Sequence, residues 1–124
     1  MKRILLGLVL CGLASPLWAQ QPPIAMVTNQ FQWDVTASSV VEAVGWTYKY
    51  YLDGETIGRT FPDAVTCQGA SPLITCQVNV PVMTQGGHRI QLTASNEAGE
   101  SPKSIPFDFV FSVVPSVPIN IRIK

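Results

Sequence analysis

Charge is scarce in this chain. Asp, Glu, Lys and Arg make up 13% of 124 residues, and eight basic residues stand against eight acidic ones. That balance gives no clustered positive surface, so nucleic acid is not an expected partner, and nothing invites an anionic membrane. Histidine is scarcer still: His88 is alone. A paired-His zinc motif is therefore absent, as are a phosphate-cradling glycine loop and a calcium loop. A Ser-His-Asp arrangement would have to use His88, and no nucleophile turn accompanies it. Helical spacing is hard to find, and no apolar run reaches the ~20 residues that a membrane-spanning helix needs. No catalytic residue, cofactor or metal site is expected from these absences.

The longest apolar run, about residues 4–18, follows Met1-Lys2-Arg3 and contains Gly12, Ser15 and Pro16. A short basic start before such a run reads as a secretory signal over residues 1–19. Cleavage after Ala19 fits the polar Gln20-Gln21-Pro22-Pro23 that follows, with Ala14 and Ser15 as alternatives because Leu17 is a poor match. Cys11 raises a lipoprotein signal, but Leu10 stands where a small residue belongs. Removing Lys2 and Arg3 leaves six basic against eight acidic residues, a formal charge of −2. The expected location is secreted or periplasmic. Cys67 and Cys76 then remain, and in an oxidising compartment they read as a disulfide; a two-Cys metal site lacks further ligands.

What fills the rest is alternation with period two. Phe31, Trp33 and Val35 alternate with Gln30, Gln32 and Asp34. Trp46, Tyr48, Tyr50 and Leu52 alternate with Thr47, Lys49 and Tyr51, and Asp53-Gly54 supplies a hairpin turn into residues 55–59, with Ile57 inward. A short strand at 64–67 and a turn at 69–72 lead to Cys76, Val78 and Val80; Pro81 stops that strand and Gly86-Gly87 turns the chain. Ile90, Leu92 and Ala94 follow, then Phe107, Phe109 and Phe111. Residues 36–44 carry a hint of one local helical turn. About seven short strands with turns between them predict an all-β, two-sheet antiparallel sandwich over residues 20–112, with the aromatic sets as its core.

The segments Tyr48-Lys49-Tyr50-Tyr51-Leu52-Asp53-Gly54 and Leu92-Thr93-Ala94-Ser95-Asn96-Glu97-Ala98-Gly99-Glu100-Ser101, with Pro81 and Gly87-His88 ahead of the latter, resemble bacterial fibronectin type III-like and immunoglobulin-like modules. The resemblance implies an immunoglobulin-like sandwich used as a binding scaffold, and is nearly silent on the partner. Two departures are visible. His88 stands where the family often has a Tyr that pins a turn. Cys67 and Cys76 staple a local hairpin, whereas the antibody disulfide joins the second and sixth strands, which here carry Trp33 and Leu92.

Binding residues concentrate on loops held by a rigid scaffold. The loops at 36–45 and 96–101 belong at one end of such a sandwich. Tyr51, which points away from the Trp46/Tyr48/Tyr50 face, joins Asn96, Glu97 and Glu100 as a candidate partner contact; solvated connections are the plain alternative. The expected function is a secreted non-catalytic interaction or surface-structure module for a protein or glycan partner, with a carbohydrate-binding module as one alternative. Another lies in residues 113–124, where Val114-Pro115-Ser116-Val117-Pro118 is stiff and extended. Ile119, Ile121 and Ile123 then alternate with Asn120, Arg122 and Lys124. That strand-like tail either pairs with its own sandwich, stays disordered, or adds to a neighbouring molecule and makes the chain a self-assembling subunit.

Overall fold

A computed structural model describes residues 21–124; the expected signal segment and Cys11 lie outside the described residues. The fold is all-β, two sheets packed face to face as a sandwich. The larger sheet runs β1 (Ile24–Ala25), β9 (Phe107–Phe111), β7 (Gly86–Asn96), β3 (Thr47–Leu52), β4 (Arg59–Thr60), with β8 (Gly99–Glu100) folded back on the end of β7. The smaller sheet is β2 (Gln30–Thr36), β6 (Leu73–Asn79), β5 (Thr66–Ala70). Pairing is antiparallel except between β1 and β9, which run parallel.

The alternation in the sequence is what fills the space between the sheets. Every second residue of β6, Ile74, Cys76 and Val78, is buried, and so are Tyr48, Tyr50 and Leu52 of β3. Phe109 and Phe111 of β9 are the largest side chains fully removed from water, each contributing about 1.5–3 kcal/mol by burial. Phe31 meets Phe109 edge-on at 5.3 Å, and Trp33 meets Tyr48 edge-on at 5.2 Å, the arrangement that aromatic quadrupoles favour.

Asp53 and Gly54 both take positive φ, 53° and 79°, the geometry of a tight hairpin turn. The return strand is shorter than the alternation predicts. Only Arg59 and Thr60 pair with β3, opposite Tyr50 and Lys49, and Ile57 is exposed rather than inward. The next strand begins later, at Thr66, and continues through Gly69 and Ala70, so the turn narrows to Ser71-Pro72. Gly86-Gly87 opens β7 instead of turning before it.

The helical hint becomes α1 (Val40–Gly45). Ser39 caps it by accepting from the Glu42 amide at 3.1 Å, and Glu42 returns a bond from the Ser38 amide at 2.9 Å, a reciprocal cap. Ala43 of α1 is fully buried against β5 and β6, and the Tyr48 hydroxyl donates to its carbonyl at 2.7 Å. The Cys67–Cys76 disulfide is present and joins directly opposed residues of β5 and β6. Residues 113–124 form neither strand nor helix. No helix among the described residues is long and apolar enough to cross a membrane.

Candidate functional site

Thr47 pairs with Ser95, so the chain entering β3 from α1 and the hairpin leaving β7 meet at one end of the sandwich. There, Trp46, residues 94–96 and residues 98–101 enclose a shallow hollow of about 370 Å3. Trp46 is half-buried in its wall, although alternation assigns it to the core. Asn96 and Glu100 line the hollow; Asn96 also holds its hairpin shut, accepting from the Ala98 amide at 2.8 Å. Glu97 is exposed at the hairpin tip and does not line the hollow.

Tyr51 and Glu100 come together, with the Tyr51 ring covered and the Glu100 carboxylate at the surface. Tyr51 is only 7% exposed, although it lies on the outer face of the larger sheet. Its hydroxyl donates to Glu100 Oε2 at 2.6 Å, the Lys103 ammonium sits 4.3 Å from its ring centroid, and Gly58 packs so close that a Cβ there would stand 2.8 Å from the ring. The ring face expected to be open is therefore covered. The Thr93 hydroxyl, then the Tyr51 hydroxyl, hold the Glu100 carboxyl below its ordinary range, and the bond to Glu100 pushes the Tyr51 hydroxyl up.

His88 pins a turn, as the sequence suggests. Its Nδ1 lies 2.7 Å from Asp53 Oδ2 and its Nε2 lies 2.6 Å from the Thr84 carbonyl. A carboxylate and a carbonyl only accept, so this pair of partners favours the doubly protonated ring, in which both nitrogens donate. The Thr84 carbonyl, then Asp53, raises the His88 pKa against the opposing effect of burial. Burial works to raise the Asp53 carboxyl, but the bonds from His88 and the Arg89 amide outweigh it and leave its pKa lowered. The remaining strong ion pairs, Arg89–Asp108 and Arg59–Glu55, are solvent-facing and worth little individually. Among the described residues no three His, Cys, Asp or Glu gather as a metal site.

A second concavity has no counterpart in the alternation. An apolar trough of about 590 Å3 runs between β2 and the facing part of the larger sheet. Phe31 and Trp33 of β2 form one wall, Leu92 and Phe109 another, and Ile105 and Phe107 the rim; among the described residues no ionisable side chain lines it. Phe107, expected inside with Phe109 and Phe111, is half-exposed there. The cause lies in the approach to β9. Pro102 and Pro106 flank a stretch that contacts β7 only irregularly: the Ser104 amide donates to the Leu92 carbonyl, the Leu92 amide donates to the Ser104 hydroxyl, and the Gln91 side-chain amide donates to the Ser104 carbonyl. The outer edge of β2 itself pairs with no described strand. Trp33 Nε1 is buried without an acceptor among the described residues. The two prolines in five residues were the one sequence signal that pairing would loosen here.

Compared with known proteins, the chain matches no family model, no curated protein and no solved structure.

Proposed function

We propose that this chain is an exported, non-catalytic sandwich module, similar in kind to fibronectin type III and immunoglobulin-like domains, which acts by taking an extended apolar segment of a protein partner along β2. The observation that carries this reading is the trough: an apolar channel beside a seven-residue strand edge that pairs with no described strand. Strand addition needs both parts, backbone groups to pair with and pockets for alternate side chains. The non-catalytic part is supported by the ionisable groups. Asp53, Glu55, Glu100 and Asp108 are engaged by His88, Arg59, Tyr51 and Arg89, away from the apolar trough. Export rests on the signal-like N-terminus and on the disulfide, and is tested by fractionating cells and sequencing the mature N-terminus.

The binding reading is tested by titrating the protein with a short alternating apolar peptide while following tryptophan emission, since Trp33 lines the trough. Saturable change that Phe107→Lys abolishes supports it; no change with any such peptide removes it. A glycan reading has one specific observation in its favour, the half-buried Trp46 beside Asn96 and Glu100 in the end hollow. Retention on a polysaccharide column that Trp46→Ala abolishes would move the function there.

A further inference from the structure

We infer that the segment held in the trough is the C-terminal strand of a second copy of this chain, residues 119–123, so that copies link head to tail. The inference rests on the strand-holding reading above and names its occupant.

Three observations meet. The tail shows the same alternation as the sandwich strands, yet Ile119, Ile121 and Ile123 are 77%, 92% and 101% exposed. A segment whose alternation would place three β-branched residues on one face of a strand, and which leaves them in water, is an association hazard unless something covers it. The trough offers what those residues lack, an apolar channel beside a free edge. Five residues of strand span about 17 Å, within the length of the seven-residue β2. With the isoleucines inward, Arg122 and Lys124 fall on the outer face, where β2 presents Asp34.

Within one chain this docking does not occur: the tail stays exposed and the trough stays open. The Pro-spaced residues 114–118 favour an extended connection over a tight return. Asn120 sits at φ 55°, so the segment straightens on docking, a change that Asn tolerates. Because donor and acceptor are different surfaces, the contact does not close on itself as a two-fold dimer does. It generates rings or open chains.

The test is native mass by light scattering of the mature full-length protein over a wide concentration range, for the wild type, Ile121→Lys in the tail and Phe107→Lys on the trough rim. Both sites are substantially exposed, and thermal melting confirms that both variants fold. The expected result is a wild-type mass that grows with concentration and two monomeric variants. Mixed together, these variants form a dimer and nothing larger, because the mixture supplies one intact tail and one intact trough per pair. A wild type that stays monomeric throughout overturns the inference, including the case in which Ile121→Lys lowers its melting temperature because the tail docks on its own sandwich. A multimer that survives Ile121→Lys also overturns it. The Ile121→Lys protein is then titrated with the unrelated alternating peptide. Binding there in a chain whose wild type is monomeric removes only the tail as occupant and leaves the strand-holding module standing.

Discussion

The two edges of the smaller sheet are protected very differently. The β5 edge has α1 packed against it, a disulfide tying it to β6, and the Tyr48 hydroxyl fastening α1 through the Ala43 carbonyl. Among the described residues the β2 edge has none of these. It is regular over seven residues, carries no proline or lysine, and borders an apolar trough. Natural sheets blunt their edges with covers, charges or bulges because a bare edge pairs with whatever strand arrives. On the strand-holding proposal, a chain that guards one edge with three devices and leaves the other open separates a stability problem from a binding surface.

Perturbations that open the guarded edge should cost stability, while those on the bare edge should change association alone. The largest loss follows reduction of Cys67–Cys76. Opening a loop of this size costs about 2.5 kcal/mol by chain entropy, read as a lower midpoint in chemical denaturation under reducing conditions. A midpoint that does not move would mean that α1 alone secures β5. Next comes Tyr48→Phe, which leaves the Ala43 carbonyl with only the longer bond from the Trp46 amide at 3.4 Å and should cost about 1 kcal/mol, a fall of several degrees in Tm.

The His88 clamp lies on the larger sheet and serves as a control that should leave both edges of the smaller sheet alone. Its pKa is raised from 6.5, so its contribution is complete below about pH 6.5 and is lost as pH climbs through the folded-state value. Asp53 is lowered from 3.8, so its contribution is present above about 3.8 and is lost as pH falls through its folded-state value. Stability measured against pH should therefore decline on both sides of a weakly acidic plateau, and His88→Gln should flatten the alkaline side while costing about 1 kcal/mol, limited by the solvent around Asp53. The smallest effect belongs to Gln32→Lys on β2. Stability should change by less than about 0.5 kcal/mol, while self-association measured by light scattering weakens, because a lysine on an edge resists pairing. A large stability loss there would show that the β2 edge is structural after all.

The sheet-forming strands β2, β3, β6, β7 and β9 were legible in sequence because burial on one face writes alternation directly into the residues. So was the Asp53-Gly54 turn, whose φ values few other dipeptides tolerate. Lateral arrangement was not legible. Period two says which side chains face inward but not which strand lies beside which, so nothing announced that β2 would be an edge. Ile57 was misplaced because an apolar residue after a turn looks like a returning strand, and only the register at Arg59 shows that pairing starts later. Tyr51 was assigned correctly to the outer face. What hid it was cover from Gly58, Lys103 and Glu100, contacts between residues up to 52 positions apart that no local pattern encodes. Phe107 erred in the opposite direction: its alternation was right, but the strand that would have covered it is missing from its side of the trough.

The parallel pairing of β1 with β9 has a mechanical consequence. The chain enters at the start of β1 and leaves at the end of β9, so a pull on the two ends slides these strands past each other. The bonds from the Val110 amide to Pro23 and from the Ser112 amide to Ala25, both 2.9 Å, lie across that pull and take the load together rather than unzipping one by one. Under tension this small patch, rather than the disulfide or the aromatic core, would set the force at which the sandwich first gives way.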